Sequence, residues 1–534
     1  MGDIGMGDST SHMPSVVMSS SGERFAAYPP ARHRNGSYKI LEQHHSKKEK
    51  IRVASVYVSP KKMENTLDAG TWELVLYEKN HHLGGTWLEN QYPGVACDIP
   101  SHLYTYSFDP NPNRSQFFAS GGEIQKYFED FADKHNTHQY IKCNTKVIEA
   151  RWDENAGIWN IKLEDVKTGA KWDDWSHVLI NGTGVLNSWK WPEIEGLLDF
   201  KGPVVHSASW NHEISFEGKT VGIIGTGTSS VQIVPRLQKI CEKYLCICAP
   251  QHGSRPHLEA RQYNFTESDK KKFNEDPEFH LQFRKEIEAE INGLFGLYKA
   301  GSELSATMRT LIREELNRRM GPGHDDLKDF IIPKWSPGCR RLSPGDGYLE
   351  ALVQPNVRPC FSSITKVMPT GLLTADGENH KFDVLVCATG FNVSWKPSFA
   401  VINAEGTTLA EDWKESPKRN LVEWNPLTRD RNYRGICHQM IRKMQEEQIR
   451  AFEIKQECCE ELQTHCNRFH ADTVWVEDCR AWFKDNKKGG RVHVWPGSNR
   501  YAYLGNGEVN ATAAKDVQGL STYIRNDDSD WNVE

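Results

Sequence analysis

The chain has 534 residues and a formal charge of −6, from 65 basic and 71 acidic side chains. That balance argues against a general nucleic-acid binder, whose footprint is basic. With 38% apolar and 10% aromatic residues, it carries core enough for two or three domains.

Thirteen cysteines are scattered, odd in number and without a Cys-x-x-Cys pair. Reduced, mostly buried thiols of a cytoplasmic protein are expected, rather than a disulfide framework or a zinc site. No charged start followed by an apolar core marks a secretory leader. No apolar run reaches the ~18–20 residues of a membrane span.

Residues 1–49 are rich in Ser, Met, Gly and His, then basic, and read as a disordered tail. Ile51-Arg-Val-Ala-Ser-Val56 predicts a strand, and Trp72-Glu-Leu-Val-Leu-Tyr77 a second. Glu78 ends the second strand. In a dinucleotide-binding unit an acid there hydrogen-bonds the adenosine ribose; otherwise it is a solvated strand end. Leu83-Gly-Gly85-Thr86-Trp87 follows, then Tyr92-Pro-Gly94, Cys97-Asp98-Ile99-Pro-Ser101 and Tyr104-Thr-Tyr-Ser-Phe108.

Phe200-Lys-Gly202-Pro-Val-Val-His206-Ser-Ala-Ser-Trp210 reads Phe-x-Gly-x-x-x-His-x-x-x-Trp. Just beyond it, the apolar strand Val221–Ile224 runs into Gly225-Thr226-Gly227-Thr228-Ser229-Ser230. The first glycine suits a tight turn, and the second lets a pyrophosphate approach the backbone. The following helix offers its N-terminus to the phosphates. Ser230 stands where a third glycine is common and is small enough for close packing. Tyr244–Cys248 predicts the next strand. Residues 270–330 are charged with helical spacing, Ile287, Ile291 and Leu294 recurring at i, i+4 and i+7. Gly338-Cys-Arg340-Arg341, Asp346-Gly-Tyr348 and Asp383-Val-Leu-Val-Cys-Ala-Thr-Gly-Phe391 close the set of motifs.

Together these segments resemble the Baeyer–Villiger flavin monooxygenases, from about Arg52 to Lys418 and again from Gln439 to Gly507. The nearest look is to fungal FAD-binding monooxygenases of secondary metabolism, such as those of aflatoxin and sterigmatocystin-type polyketide pathways. The resemblance implies an α/β fold of two doubly wound dinucleotide-binding domains. Residues 50–215 and 380–534 would form a split FAD-type domain, ending in a C-terminal helical region. Residues 216–379, with a helical insertion at 270–330, would form the inserted NADP-binding domain.

The family uses FAD, NADPH and O2. Its reduced flavin carries oxygen as a C4a-peroxide that attacks a small-molecule ketone, giving an ester or lactone. By resemblance, Arg341 is the catalytic arginine and Asp98 its acidic partner. The plainer alternatives are a surface arginine and a turn residue before Pro100. A fixed guanidinium suits an anionic oxygen in a dry site. Glu78, Gly85, Thr86, Trp87, Asp98, Ile99, Tyr104 and Val147 match flavin-side positions. Gly225, Thr226, Gly227, Thr228, Ser229 and Ser230 match the pyrophosphate cradle, and Arg340 the 2′-phosphate site. Of the signature Phe200, Gly202, His206 and Trp210, His206 reads as a hinge group and Trp210 as packing. No nucleic-acid partner, metal or transmembrane segment is expected, and spacing carries no information on oligomeric state.

The chain departs from the family in three places. Tyr57-Val-Ser-Pro60-Lys-Lys-Met-Glu-Asn65 stands where a glycine-rich FAD turn belongs and has no glycine. After Cys248 the chain reads Ala249-Pro-Gln-His252, without the arginine that would meet a 2′-phosphate. Arg419–Arg429 does not resemble the segment that covers the flavin. The two flavin-side losses read either as mis-joined exons of a predicted gene product or as erosion. Survival of Asp98 and Arg341 favours the first. Nitrogen- or sulfur-oxidising chemistry, or an inactive remnant, are the alternatives to the ketone oxidase.

Overall fold

The computed structural model describes residues 50–55, 63–64, 67–247, 262–393, 396–413, 440–442, 444–445, 449–451 and 456–494. Strands β1 (Ile51–Ser55) and β2 (Trp72–Tyr77) form where the apolar runs place them, and pair in parallel. Helices α1 (Thr86–Glu89) and α2 (Gly121–Lys134) follow; the Ser120 hydroxyl caps α2 by accepting from the Glu123 amide. Strand β3 (Ile141–Lys142) adds beside β2, and β7 (Val178–Ile180) beside β1, making a parallel sheet ordered β3-β2-β1-β7.

Between β3 and β7, strands β4 (Thr145–Asp153), β5 (Ile158–Asp165) and β6 (Lys171–Ser176) form an antiparallel meander. Residues alternate faces along a strand. Ile51, Val53, Leu74 and Leu76 therefore pack on one side with Met63 and Leu67. Ala54, Val75 and Tyr77 pack on the other against Val147, Ile161 and Leu163 of the meander. The chain returns late to this region, where β16 (Ala400–Ile402) pairs with β4.

A second parallel sheet uses β8 (Val204–His206), β9 (Thr220–Ile224), β10 (Lys243–Ile247), β11 (Val357–Cys360) and β15 (Val384–Cys387), in the order β11-β10-β9-β15-β8. The expected boundaries at 216 and 379 cut through it. Strands β8 and β15 lie outside them, yet β15 pairs with β8 on one side and with β9 on the other. The second sheet therefore spans residues 204–387, across both expected boundaries. A three-residue strand such as β8 is too short to show a period of its own. Strands β12 (Ile364–Met368), β13 (Gly371–Thr374) and β14 (Asn379–Lys381) make an antiparallel flap between β11 and β15.

Helix α3 (Thr228–Leu237) crosses from β9 to β10. The helical insertion then builds α4 (Glu267–Glu275), α5 (Pro277–Gly293), α6 (Glu303–Met320) and α7 (Asp325–Ile331) before α8 (Tyr348–Leu352) leads back to β11. A capping box of Thr266 and Asp269 starts α4, and Asp276 with Pro277 starts α5. Along α6, Met308, Ile312, Leu316 and Met320 form one buried stripe at four-residue spacing.

The late helix α9 (Gln456–Ala471) precedes a segment that folds back on the loop before α8. Cys339 and Cys479 form a disulfide there, across 140 residues, beside buried Trp335. This corrects the all-reduced expectation; Cys97, Cys143, Cys241, Cys360, Cys387 and Cys466 are not disulfide-bonded. Among the described residues no helix is long and apolar enough to cross a membrane, and no group of three or more His, Cys, Asp or Glu side chains could hold a metal ion. The tail at 1–49, most of the Tyr57–Asn65 segment and Arg419–Arg429 lie outside the described residues.

Candidate functional site

The turn after β9 is built around Gly225, at φ +114°, where a Cβ would lie 2.3 Å from the Ala388 carbonyl oxygen. Ala388 follows β15, and its amide donates to Ile224 at 2.8 Å. Adjacent strand ends thus leave no room for a side chain. Gly227 caps α3 without a side-chain acceptor, so the first-turn amides of Thr228, Ser229 and Ser230 are free for a ligand. Ser230 is fully buried and its hydroxyl has no partner among the described residues. The Thr228 hydroxyl lies 3.1 Å from that of Ser343, and Thr226 is buried beside them. A backbone cradle with an orphaned buried hydroxyl fits a dinucleotide pyrophosphate.

The signature residues support this sheet from behind. A Cβ on Gly202 would meet the Asp383 carbonyl oxygen at 2.2 Å, so β8 and the start of β15 touch through a glycine. Phe200 packs on Phe382, and Trp210 stacks on Phe216 at 5.3 Å between ring centres. His206 is fully buried. Its Nδ1 accepts from the Ala208 amide at 3.1 Å, which leaves Nε2–H to donate to the Thr389 hydroxyl at 3.2 Å. The Trp189 ring covers the imidazole at 4.3 Å. Burial pulls the His206 pKa down to about 4, so the ring is neutral near pH 7.

Asp98 and Arg341 meet in front of the cradle. Nε donates to Oδ2 at 2.6 Å and Nη2 to Oδ1 at 2.8 Å. The Asp98 charge raises the Arg341 pKa, with Tyr298 and Tyr104 contributing after it. Arg341 keeps 37% of its side-chain surface, so one edge of the guanidinium faces open space. Asp98 sits on a loop tied to α3: Gln232 donates to the Ala96 carbonyl at 2.9 Å and accepts from the Tyr92 hydroxyl at 2.8 Å. Gly94 is required there, since a Cβ would lie 2.6 Å from the Gln232 carbonyl oxygen.

Trp87 and Tyr104 stand together near this pair. The indole donates to the Tyr104 hydroxyl at 2.9 Å, and the rings are edge-to-face. Fully buried Arg114 holds the Tyr104 carbonyl at 2.7 Å. Gly85 opens α1 at φ +52°, and the Thr86 hydroxyl accepts from Asn90. The Ile99 carbonyl lies 3.1 Å from the Cys97 sulfur. Glu78 stands at the end of β2, where its carboxylate accepts from the Asn80 amide and burial raises its pKa. Val147 is on β4 in the core behind the first sheet, away from Asp98 and Arg341. Arg340 lines a cavity of which Arg341 is not part; burial lowers its pKa to about 10.

Sequence reasoning missed Gln232 and Tyr298. Gln232 is one helical turn beyond Thr228 on the face that carries the cradle, a spacing that could have flagged it. Tyr298 lies in a short turn between α5 and α6. A Cβ on Gly338 would meet its ring at 2.7 Å, a contact no local pattern announces.

Two parallel-sheet units, one with a glycine turn facing an arginine–carboxylate pair, define a two-dinucleotide oxidoreductase fold. Residues 55–254 match the family described as flavin-binding monooxygenase-like. The FAD-binding monooxygenase tazF of Aspergillus terreus is 36% identical over 83% of this chain and 88% of its own. A Baeyer-Villiger monooxygenase of Pseudomonas aeruginosa is 25% identical over 80% of this chain and 84% of its own. A crystal structure of OTEMO in complex with FAD and NADP superposes with a TM-score of 0.73 at 21% identity, covering 86% of this chain and 97% of that one. The chain belongs to the Baeyer–Villiger-type FAD-binding monooxygenases.

Proposed function

We propose that the chain oxidises a ketone to an ester or lactone, using FAD, NADPH and O2, within secondary-metabolite biosynthesis and in the cytoplasm. The observation that carries this reading is the two-point Asp98–Arg341 pair, with its open edge, beside the Gly225–Ser230 cradle. NADPH would be held by Gly225, Thr226, Gly227, Thr228, Ser229 and Ser230. FAD would be held by Glu78, Gly85, Thr86, Trp87, Asp98, Ile99, Tyr104 and Val147. Bound flavin supplies the activation of O2.

The residues of the chain do the rest. Arg341 presents a permanent positive charge to negative charge developing on oxygen. Asp98 fixes the guanidinium plane through both of its oxygens, so no reorientation is needed as charge develops. Tyr104 and Tyr298 bring hydroxyl-bearing rings to the same guanidinium. Neutral His206 ties β8 to Thr389 and moves no proton.

One observation favours a second reading. The absence of glycine from Tyr57–Asn65 suits a remnant that binds NADP without FAD. The test is to supply the purified chain with FAD, NADPH, oxygen-18 gas and a panel of cyclic and polyketide-type ketones, with sulfides and amines in parallel. Labelled ester or lactone supports the ketone reading. Labelled sulfoxide or hydroxylamine alone replaces it, and no labelled product from protein shown to be folded supports the remnant.

A further inference from the structure

The loop that carries Asp98 also carries Tyr104, and both act on the Arg341 guanidinium. Between them in the chain stands His102, which is 1% exposed and takes no part in the chemistry described above. We propose that His280 and Arg284 of α5 are positioning residues for this loop, setting Asp98 and Tyr104 against Arg341 through His102. The inference rests on the role proposed above for Asp98 and Arg341.

The clamp is polar and comes from one helix face. His102 Nδ1 lies 2.8 Å from His280 Nε2, one ring donating to the other. Nε of Arg284 donates to the His102 carbonyl at 3.1 Å, and Nη2 to the Thr105 hydroxyl at 3.4 Å. His280 and Arg284 are four residues apart and so share a face of α5. Both are buried. Burial first, then neighbouring positive charge, lowers the pKa of both histidines, so each ring is neutral near pH 7 and the bond holds there.

Packing alone does not call for these side chains. Phe265, Phe273 and Phe283 surround His102 at 4.7, 4.9 and 5.4 Å between ring centres. An apolar ring fills such a box with no polar group to satisfy. Nε2 of His102 is buried and has no partner among the described residues, a cost that the Nδ1 bond offsets. What the hydrogen bond adds is direction: it holds ring and backbone at one position, where apolar contact is non-directional.

The grip reaches the site along a short path. His102 lies in the 3₁₀ turn Ser101–Leu103. The Ser101 hydroxyl donates to the Gln116 carbonyl at 2.6 Å, and its amide to the Phe117 carbonyl at 2.7 Å. The Cys97 amide donates to the Ala119 carbonyl at 2.9 Å. Asp98 hangs between these two anchors, and Tyr104 follows the turn with its carbonyl held by Arg114. The segment before α2 thus anchors the loop backbone, and α5 adds an anchor from the helical insertion. A displacement of about 1 Å at a reacting geometry can cost about 10²-fold in rate. The insertion therefore supplies Arg341 at its end and also fixes the loop that meets it.

The test compares the full chain with three variants, each checked by thermal melting. His280→Phe keeps an aromatic ring and removes the bond, His280→Gln can restore it, and Arg284→Met removes the donors to the loop. Hydrogen–deuterium exchange is measured first. In His280→Phe and Arg284→Met, exchange should speed up across residues 97–105 and not in the cradle at 225–234, with His280→Gln close to wild type. With a ketone that the wild type turns over, the Phe and Met variants should lower kcat about tenfold and reduce product per NADPH, with KM for NADPH unchanged. His280→Gln should recover most of the rate. Unchanged exchange at 97–105, loosening that spreads equally to the cradle, or a Gln variant no better than Phe overturns the inference. A wild type that turns over no ketone overturns the function proposed above instead, and the exchange measurement still decides whether α5 holds the loop.

Discussion

Asp98 and Arg341 stand 243 residues apart in the chain and close on each other through two charge-assisted hydrogen bonds of 2.6 and 2.8 Å. One partner comes from the loop docked on α3, the other from the end of the helical insertion. The guanidinium is therefore set only when both units are folded around the cradle. Its exposed edge is the part that can meet substrate or oxygen.

Removing that charge should uncouple the enzyme. Arg341→Ala is expected to lower ester or lactone formation by about 10²-fold or more, while NADPH consumption continues. Arg341→Lys should recover only part, because an ammonium cannot make the same planar two-point contact. Asp98→Asn should fall between the two. Product yield per NADPH consumed is the measurement.

Gly225→Ala tests the cradle separately from the flavin side. Its φ of +114° and the 2.3 Å approach to the Ala388 carbonyl leave a methyl group no place. The variant should lose more than about 1 kcal/mol of stability and most of its NADPH affinity, with flavin content per folded chain unchanged. Denaturant melts and flavin absorbance together check it.

Buried neutral histidines make stability depend on pH. Burial lowers His206 and His280 to about 4 and His102 to about 3, where His102 also feels His280 and nearby arginines. An unfolded histidine titrates near about 6.5. Below that value the unfolded chain binds more protons than the folded one, so stability is complete above it and falls as pH drops toward 4. Melting temperature should fall through this window, and His206→Gln should have a shallower slope.

The Cys339–Cys479 bond should stabilise the region around Arg341. Closing a loop with a separation of 140 residues is worth about 5 kcal/mol in a chain-entropy account. Reduction, or Cys479→Ser, is expected to lower the melting temperature. A peptide map without reductant should contain the linked pair.

The turn of the cradle was legible because Gly225 answers a local need, a positive φ, whereas Gly202 was named only by resemblance, its contact with Asp383 being remote in sequence. Asp98 and Arg341 were legible only by resemblance, since nothing in a loop aspartate and an arginine pair says that they meet. The helical spacing of Ile287, Ile291 and Leu294 pointed to α5, whereas the buried stripe of α6 was not singled out. The sheet boundary was not legible, because β8 gains its identity from pairing with β15 rather than from its own three residues. Nor was the disulfide. Its cysteines come together through packing between the loop before α8 and the segment after α9, which no spacing encodes.

On this reading the chain holds a flavin that NADPH reduces. Its most direct test is the absorbance spectrum of the purified chain with added FAD after gel filtration, recorded before and after anaerobic NADPH. Retained bands near roughly 370 and 450 nm are expected, the second bleached by NADPH. A folded but colourless chain, or a bound flavin that NADPH leaves oxidised, would contradict it.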